Sequence, residues 1–313
     1  MKEEIFISGR NLPNIDPHLH IWHWPIALDL FMGGLAAGIL FFAAYYTITG
    51  KEKEMPNGLK WSVIVAPFAI IIALICLFFD LKHKLYFWQL YTTFRPESPM
   101  SFGSWVLLFI TPLSFLWAAS YVKELIPSWN WKPAFLNEWL DRFSKLRGLT
   151  AWPLLILAVS LGIYTGILLS AFNARPLWNT SLLGPMFLVY GMTTGAALIL
   201  WFTKEAGQQK LFSKILLALI AIDIFFIIHL FMGFLAGPAV QVEAAELFIT
   251  GEYALPFWGF VVLLGLLIPA LMELLYLRGF KVPATIPVAL ILIGGFLFRY
   301  LLVEAGEMTR YLY

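Results

Sequence analysis

Long apolar runs separated by short polar stretches fill the chain from residue 24 to residue 304. A bilayer core takes about 20 mostly apolar residues in a helix. Eight runs meet that length: 24–49, 59–79, 102–123, 151–170, 181–203, 214–235, 256–277 and 284–304. The pattern predicts an all-α, polytopic integral membrane protein, with eight transmembrane helices in bundles and one transmembrane domain over 1–313. An even number of crossings puts both termini on one side.

Composition removes the soluble alternative. The chain is 60% hydrophobic and 17% aromatic but only 13% charged, against roughly 25% charged in soluble domains. Its mean hydropathy of +0.80 means more apolar surface than one soluble core can hide. A net charge of +2 gives no sign of nucleic-acid binding. The single cysteine, Cys76, excludes an intramolecular disulfide and any cysteine-ligated cluster. It lies in an apolar run and reads as an inert buried thiol. Met1–His20 is polar and precedes the first apolar run, so no cleavable signal peptide is expected.

Basic residues set the orientation. Segments on the side of the N-terminus carry Lys2, Arg10, Lys82, Lys84, Arg95, Arg175 and Arg310. The other side carries Lys51, Lys53, Lys60, Lys123, Lys132, Arg142, Lys145, Arg147, Lys204, Lys210, Lys214, Arg278 and Lys281. Seven against thirteen puts the second set in the cytoplasm and both termini outside. In the longest cytoplasmic loop, Phe135, Leu136, Trp139, Leu140, Phe143 and Leu146 recur at helical spacing. Arg142 and Lys145 lie between them, so a short helix on the membrane surface is expected. The outer stretch 236–255 carries Glu243, Glu246 and Glu252 and reads as a solvated loop, or as a face selecting a partner. Gly33, Gly34 and Gly38 on the first helix, and Gly191 and Gly195 on the fifth, mark close helix packing.

Each charge inside a membrane costs about 2.5–3.5 kcal/mol on insertion scales, so each needs a reason. Asp29 lies on the first helix, Asp223 and His229 on the sixth, Glu273 on the seventh, and Arg299 and Glu304 on the eighth. Asp80 ends the second. His23, Asp29, Asp80, His229, Arg299 and Glu304 fall in the outer third, with Tyr164 in the outer half. Asp223 is near the midplane and Glu273 about one turn from the cytoplasmic end. Arg299 is expected either in a structural ion pair with Glu304 or Asp80, or as support for an outer site. His23 and Tyr164 could equally belong to an aromatic belt. A bis-histidine haem would need His229 with His23 or His83, since His18 and His20 lie outside the helices. No haem is therefore expected. Nucleotide-binding motifs are absent.

Four stretches together carry a resemblance. Trp22–Gly38 (WHWPIALDLFMGGLAAG), Asp80–Trp105 (DLKHKLYFWQLYTTFRPESPMSFGSW), Tyr164–Pro185 (YTGILLSAFNARPLWNTSLLGP) and Gly251–Pro269 (GEYALPFWGFVVLLGLLIP) resemble the NrfD-like, polysulfide reductase membrane-subunit family. The SPMSxGSW and YTGxLLS blocks are the most specific. The resemblance implies a haem-free subunit of the prokaryotic cytoplasmic membrane that exchanges electrons with menaquinone or ubiquinone. It implies a four-cluster iron–sulfur partner, with a molybdopterin catalytic subunit or a multihaem cytochrome beyond it. The family's quinone pocket, near the outer surface, points to Tyr164 and the start of the first helix. Where the family's reference sequence has Asn and His there, this chain has Ile26 and Asp29.

On that reading Asp29 trades protons with a quinone oxygen, His23 relays them outward and Tyr164 donates a hydrogen bond to the other oxygen. Asp80, His229, Arg299 and Glu304 would support the outer site. Asp223 and Glu273 would either line a proton route or be neutral acids bonded to helix backbone. A secondary transporter, or a proton-conducting membrane subunit without quinone chemistry, is the competing class. A transporter would more often show inverted repeats and broken helices at the midplane.

Overall fold

The computed structural model describes residues 22–132 and 134–309. Lys2, Arg10, His18, His20 and Arg310 lie outside them. Eight helices are long and apolar enough to cross a membrane: α1 (Trp24–Ile48), α2 (Asn57–Asp80), α3 (Pro99–Leu125), α4 (Arg147–Ser170), α5 (Leu183–Phe202), α6 (Ala206–Leu235), α7 (Pro256–Leu277) and α8 (Thr285–Met308). All eight predicted segments match a helix. The largest boundary difference is at α6, which starts at Ala206 rather than 214. Its first two turns carry Gln208, Gln209 and Lys210, so a hydropathy window does not reach them.

Neighbour relations divide the helices into two groups of four. Helix α1 packs on α2 and α4, and α3 closes the ring by packing on α2 and α4. In the second group α5 packs on α6 and α8, and α7 lies against both α6 and α8. The groups join where α1 packs on α5 and α8, and where α4 and α2 pack on α5.

Glycine makes that junction possible. A Cβ at Gly38 would lie 2.1 Å from the Gly191 carbonyl oxygen, and one at Gly191 would lie 2.6 Å from that of Gly34. A Cβ at Gly195 would meet the Gly38 backbone at 2.8 Å. The GxxxG pair of α5 is thus spent within this protein, on the backbone of α1.

Three details differ from the sequence expectation or sharpen it. Residues 239–249 form a helix that buries Ala244, Ala245 and Phe248, in place of the expected solvated loop. Helix α7 is π-wound from Pro256 to Leu267 and α-helical from Ile268. Phe135–Lys145 is the expected surface helix: Leu140 and Phe143 are buried, and Phe135 and Trp139 stay exposed.

Helix α4 starts four residues earlier than predicted because Arg147 is buried and paired. Its guanidinium bonds Glu124 and lies 3.0 Å from Glu52, while Lys60 reaches Glu124 at 2.7 Å. Arg147 also sits 4.2 Å from the Tyr121 ring centroid. These contacts tie the α1–α2 turn to α2, α3 and α4.

Candidate functional site: an apolar cavity in the first bundle

At the opposite end of that bundle a cavity of about 580 Å³ opens between α1, α2, α3 and α4. Ile26, Leu74, Phe78, Leu107 and Leu168 are among its apolar walls. Its polar groups are few: Asp80, Tyr91, Ser104 and Tyr164. Volume and character suit a small, largely apolar molecule with polar atoms at one end.

The sequence builds this place with identifiable devices. Segment 81–98 folds over the start of α3 and is pinned there by serines of the SPMSxGSW block. Ser101 Oγ accepts the Arg95 N–H at 3.0 Å. Ser104 Oγ donates to Leu90 O at 2.8 Å. This segment brings Phe87, Leu90 and Tyr91 to the cavity. Burial pushes the Tyr91 hydroxyl above its ordinary range, so it stays a neutral donor.

Gly103 explains why that block meets the YTG block. A Cβ there would lie 1.9 Å from Tyr164 Cζ, so only glycine leaves room for the ring. Tyr164 is buried and lines the cavity. Its hydroxyl makes no hydrogen bond among the described residues, which leaves it available to an occupant.

Helix α1 supplies Ile26, and the stretch just before it supplies Trp22. The Trp22 ring lies 5.4 Å from that of Trp178 and 4.8 Å from Phe172, and its backbone N–H donates to the Glu307 carboxylate. Arg175 Nη1 holds the end of α8 by donating to Glu307 O at 2.6 Å and Thr309 O at 2.9 Å. Glu307 is thus part of the wall behind the cavity. The sequence points instead to Glu304, one turn away, because the apolar window ends at 304.

The other candidates separate. Asp29 is buried one turn beyond Ile26, behind the cavity wall, and its charge couples to Asp80 and Tyr164. His23 is exposed at the start of α1 and couples to Asp80. Together, His23, Asp29, Asp80 and Tyr164 form one group around the cavity.

Three expected supporters do not join them. His229 faces outward on α6, its ring 4.0 Å from that of Phe225. Glu304 lies by Tyr300 and Tyr253. Arg299 is fully buried between the two bundles, neither beside Glu304 nor beside Asp80. Its Nη1 donates to Gly295 O at 3.1 Å, and its guanidinium lies 5.2 Å from the Phe187 ring and 5.6 Å from Tyr190. Side chains on a helix lean towards its N-terminus, so Arg299 reaches a turn deeper than its position in the sequence suggests.

The acid near enough for its charge to act on Arg299 is Asp223, without a direct ion pair between the two. Asp223 is fully buried and accepts a hydrogen bond from Thr193 at 2.5 Å. Asp223 Oδ1, Tyr190 Oη and Arg299 Nε are all buried without a partner among the described residues. Glu273 lies elsewhere, in a niche of about 60 Å³ with Gln209, Ser213 and Tyr276. Ser213 and Asp223 are ten residues apart on α6, roughly 15 Å along its axis. Buried Leu216, Leu219 and Ile220 lie between them.

Eight apolar helices in two bundles, the first of them holding an apolar cavity lined by a few polar groups, define a multi-pass membrane protein. The family described as "Polysulphide reductase, NrfD" matches residues 13–310, and the chain belongs to it. Protein NrfD of Escherichia coli (strain K12) is 29% identical over 308 residues, spanning 92% of this protein and 96% of the relative. A polysulfide reductase component of Wolinella succinogenes is 30% identical over 303 residues, spanning 92% and 94%. A selenate reductase component of Mesobacillus selenatarsenatis is 22% identical over 213 residues, spanning 60% and 48%.

Proposed function

We propose that this protein is the haem-free membrane anchor and quinone-reactive subunit of a respiratory oxidoreductase complex. It exchanges electrons between the menaquinone or ubiquinone pool and an iron–sulfur partner, with terminal chemistry on a molybdopterin subunit or multihaem cytochrome. The observation that carries this reading is the cavity itself. Three of the four residue blocks that carry the family resemblance frame it, and it is apolar apart from Asp80, Tyr91, Ser104 and Tyr164. Two relatives are by name components of polysulfide and selenate reductases.

A quinol supplies two electrons and two protons. Tyr164 is placed to hydrogen-bond one ring oxygen. Asp80 on the wall and Asp29 behind it are the nearby carboxylates that can take up protons. His23, at the exposed start of α1, can pass them to outer water. The apolar walls would hold a prenyl tail and keep water from the ring. The electrons leave to the partner, since the one cysteine here cannot hold a cluster.

In the complete complex, Asp29→Asn and Tyr164→Phe should each lower quinol-dependent turnover about ten-fold, consistent with loss of one proton or hydrogen-bond partner. His23→Ala should have a smaller effect. Wild-type turnover in both of the first two variants would move the site elsewhere.

The family resemblance implies a prokaryotic cytoplasmic membrane, and the distribution of basic residues assigns both termini to its outer side. A reporter fused after Tyr313 should then be active only outside the cytoplasm. Cytoplasmic activity would invert the topology.

Asp223 and Glu273 belong to the same reading as stations of a proton route. Asp223, Tyr190 and Arg299 supply unpartnered polar atoms between the bundles, and Glu273 lies in a polar niche on α7. Turnover-linked membrane potential in sealed vesicles checks this role.

A further inference from the structure

At the far end of α1, roughly 28 Å along the helix from Ile26 to Tyr45, lies a second pocket. It has a volume of about 380 Å³ and opens between the end of α1 and the start of α6. Its walls are apolar and aromatic, with Phe41, Tyr45 and Leu211 prominent. Its rim is polar and carries Lys51, Glu54 and Gln208.

The rim is built by local geometry. Gly50 adopts φ 72°, which ends α1 in a left-handed turn. Lys51 N–H then donates back to Tyr46 O at 2.9 Å, fixing the direction of the backbone beyond the helix. The single turn Glu52–Glu54 returns Glu54 to the same rim. Gln208 Nε2 donates to Glu54 O at 3.2 Å and so joins α6 to this loop. Gln208 Oε1 is buried and has no hydrogen-bond partner among the described residues. A buried acceptor of that kind favours an occupant that brings a donor.

We propose that this pocket binds a phospholipid with a primary-amine headgroup, of the phosphatidylethanolamine class. An acyl tail lies along Phe41, Tyr45 and Leu211. The phosphate faces the Lys51 ammonium. The headgroup ammonium faces the Glu54 carboxylate and donates to Gln208 Oε1. One cation and one anion on the rim match the headgroup in number and sign of charges. A choline headgroup has no N–H to give Gln208. A glycerol headgroup leaves Glu54 without a cation. A hydroquinone could donate to Gln208 but has no charges for Lys51 and Glu54. The proposal does not depend on what the larger cavity binds.

The test is native mass spectrometry of the whole purified protein with equimolar phosphatidylethanolamine, phosphatidylcholine and phosphatidylglycerol of identical acyl tails. Phosphatidylethanolamine should be retained about ten-fold over each of the others, as expected for one charge-assisted hydrogen bond. Glu54→Gln should bring phosphatidylglycerol to parity, and Lys51→Gln should lower retention of all three. Both positions are exposed, and melting in lipid-free detergent verifies that the fold is intact. Equal retention of the three lipids by the unmutated protein overturns the proposal. So does a preference that survives both substitutions. Displacement of the lipid by a short-tailed menaquinone, lost in the same variants, would make this a second quinone site instead.

Discussion

Gly103→Ala is expected to lower quinol-dependent turnover about a hundred-fold while the protein still folds and inserts, since displacement of a reacting partner by about 1 Å can cost that much. The added Cβ would lie 1.9 Å from Cζ and 2.1 Å from Cε2 of Tyr164. The ring must therefore move. Its backbone cannot follow, because a Cβ at Gly166, two residues on, would already lie 2.1 Å from Leu183 O of α5. Helix α4 is held close to α5 at that point. The displaced ring has to swing within the cavity, so its hydroxyl leaves the position proposed for a quinone oxygen. Gly233→Ala on α6 is the control: nothing lies within 4 Å of a Cβ there, and turnover should stay unchanged. Turnover assays on the assembled complex, with the variant protein quantified in the membrane, separate loss of chemistry from loss of protein. Wild-type turnover in Gly103→Ala would show that the position of Tyr164 is not what the reaction requires.

The eight crossings are legible in the sequence because length and apolarity alone determine which segments can span a bilayer. The division into two bundles is not, since it depends on which glycines face each other. Gly38 and Gly191 are recognisable as small residues, but nothing along the sequence says that they meet. Within the site, Tyr164 is found through the YTG block and Asp80 through its residue type and position. Tyr91 and Ser104 lie in recognisable motifs without a role, because their places depend on how segment 81–98 folds over α3. Glu307 escapes notice because it lies past the apolar run, where polarity is ordinary in sequence. Arg299 takes its expected depth from its backbone position, and a long helical side chain departs from that by about a turn. His229 looks internal by sequence distance alone. Which face of α6 points inward is decided by Phe212, Leu216, Ile220, Asp223 and Ile227, all buried.

Arg299 carries the largest expected effect on stability. Its guanidinium is fully buried, lies within 6 Å of the Phe31, Phe187 and Tyr190 ring centroids, and fills the space beside Gly34. Desolvated cation–π contacts are worth about 2 kcal/mol, and the guanidinium also loses its hydrogen bonds to Gly295 O and Phe187 O. Arg299→Met should therefore lower the melting temperature of the purified protein markedly. It leaves the Asp223 carboxyl with Thr193 as its hydrogen-bond donor. Adding Asp223→Leu to Arg299→Met should recover part of the loss, because apolar replacement of a whole buried charge group is often neutral or better. Asp223→Asn keeps the shape and the Thr193 contact but cannot carry a proton. In the complete complex in sealed vesicles, it should preserve electron transfer and abolish the turnover-linked membrane potential. Glu273→Gln should do the same if its niche is the other station of the route. A potential that persists in Asp223→Asn, or none in the unmutated complex, would reduce Asp223 to a partner for Arg299. The double variant would then account for both residues as structure alone.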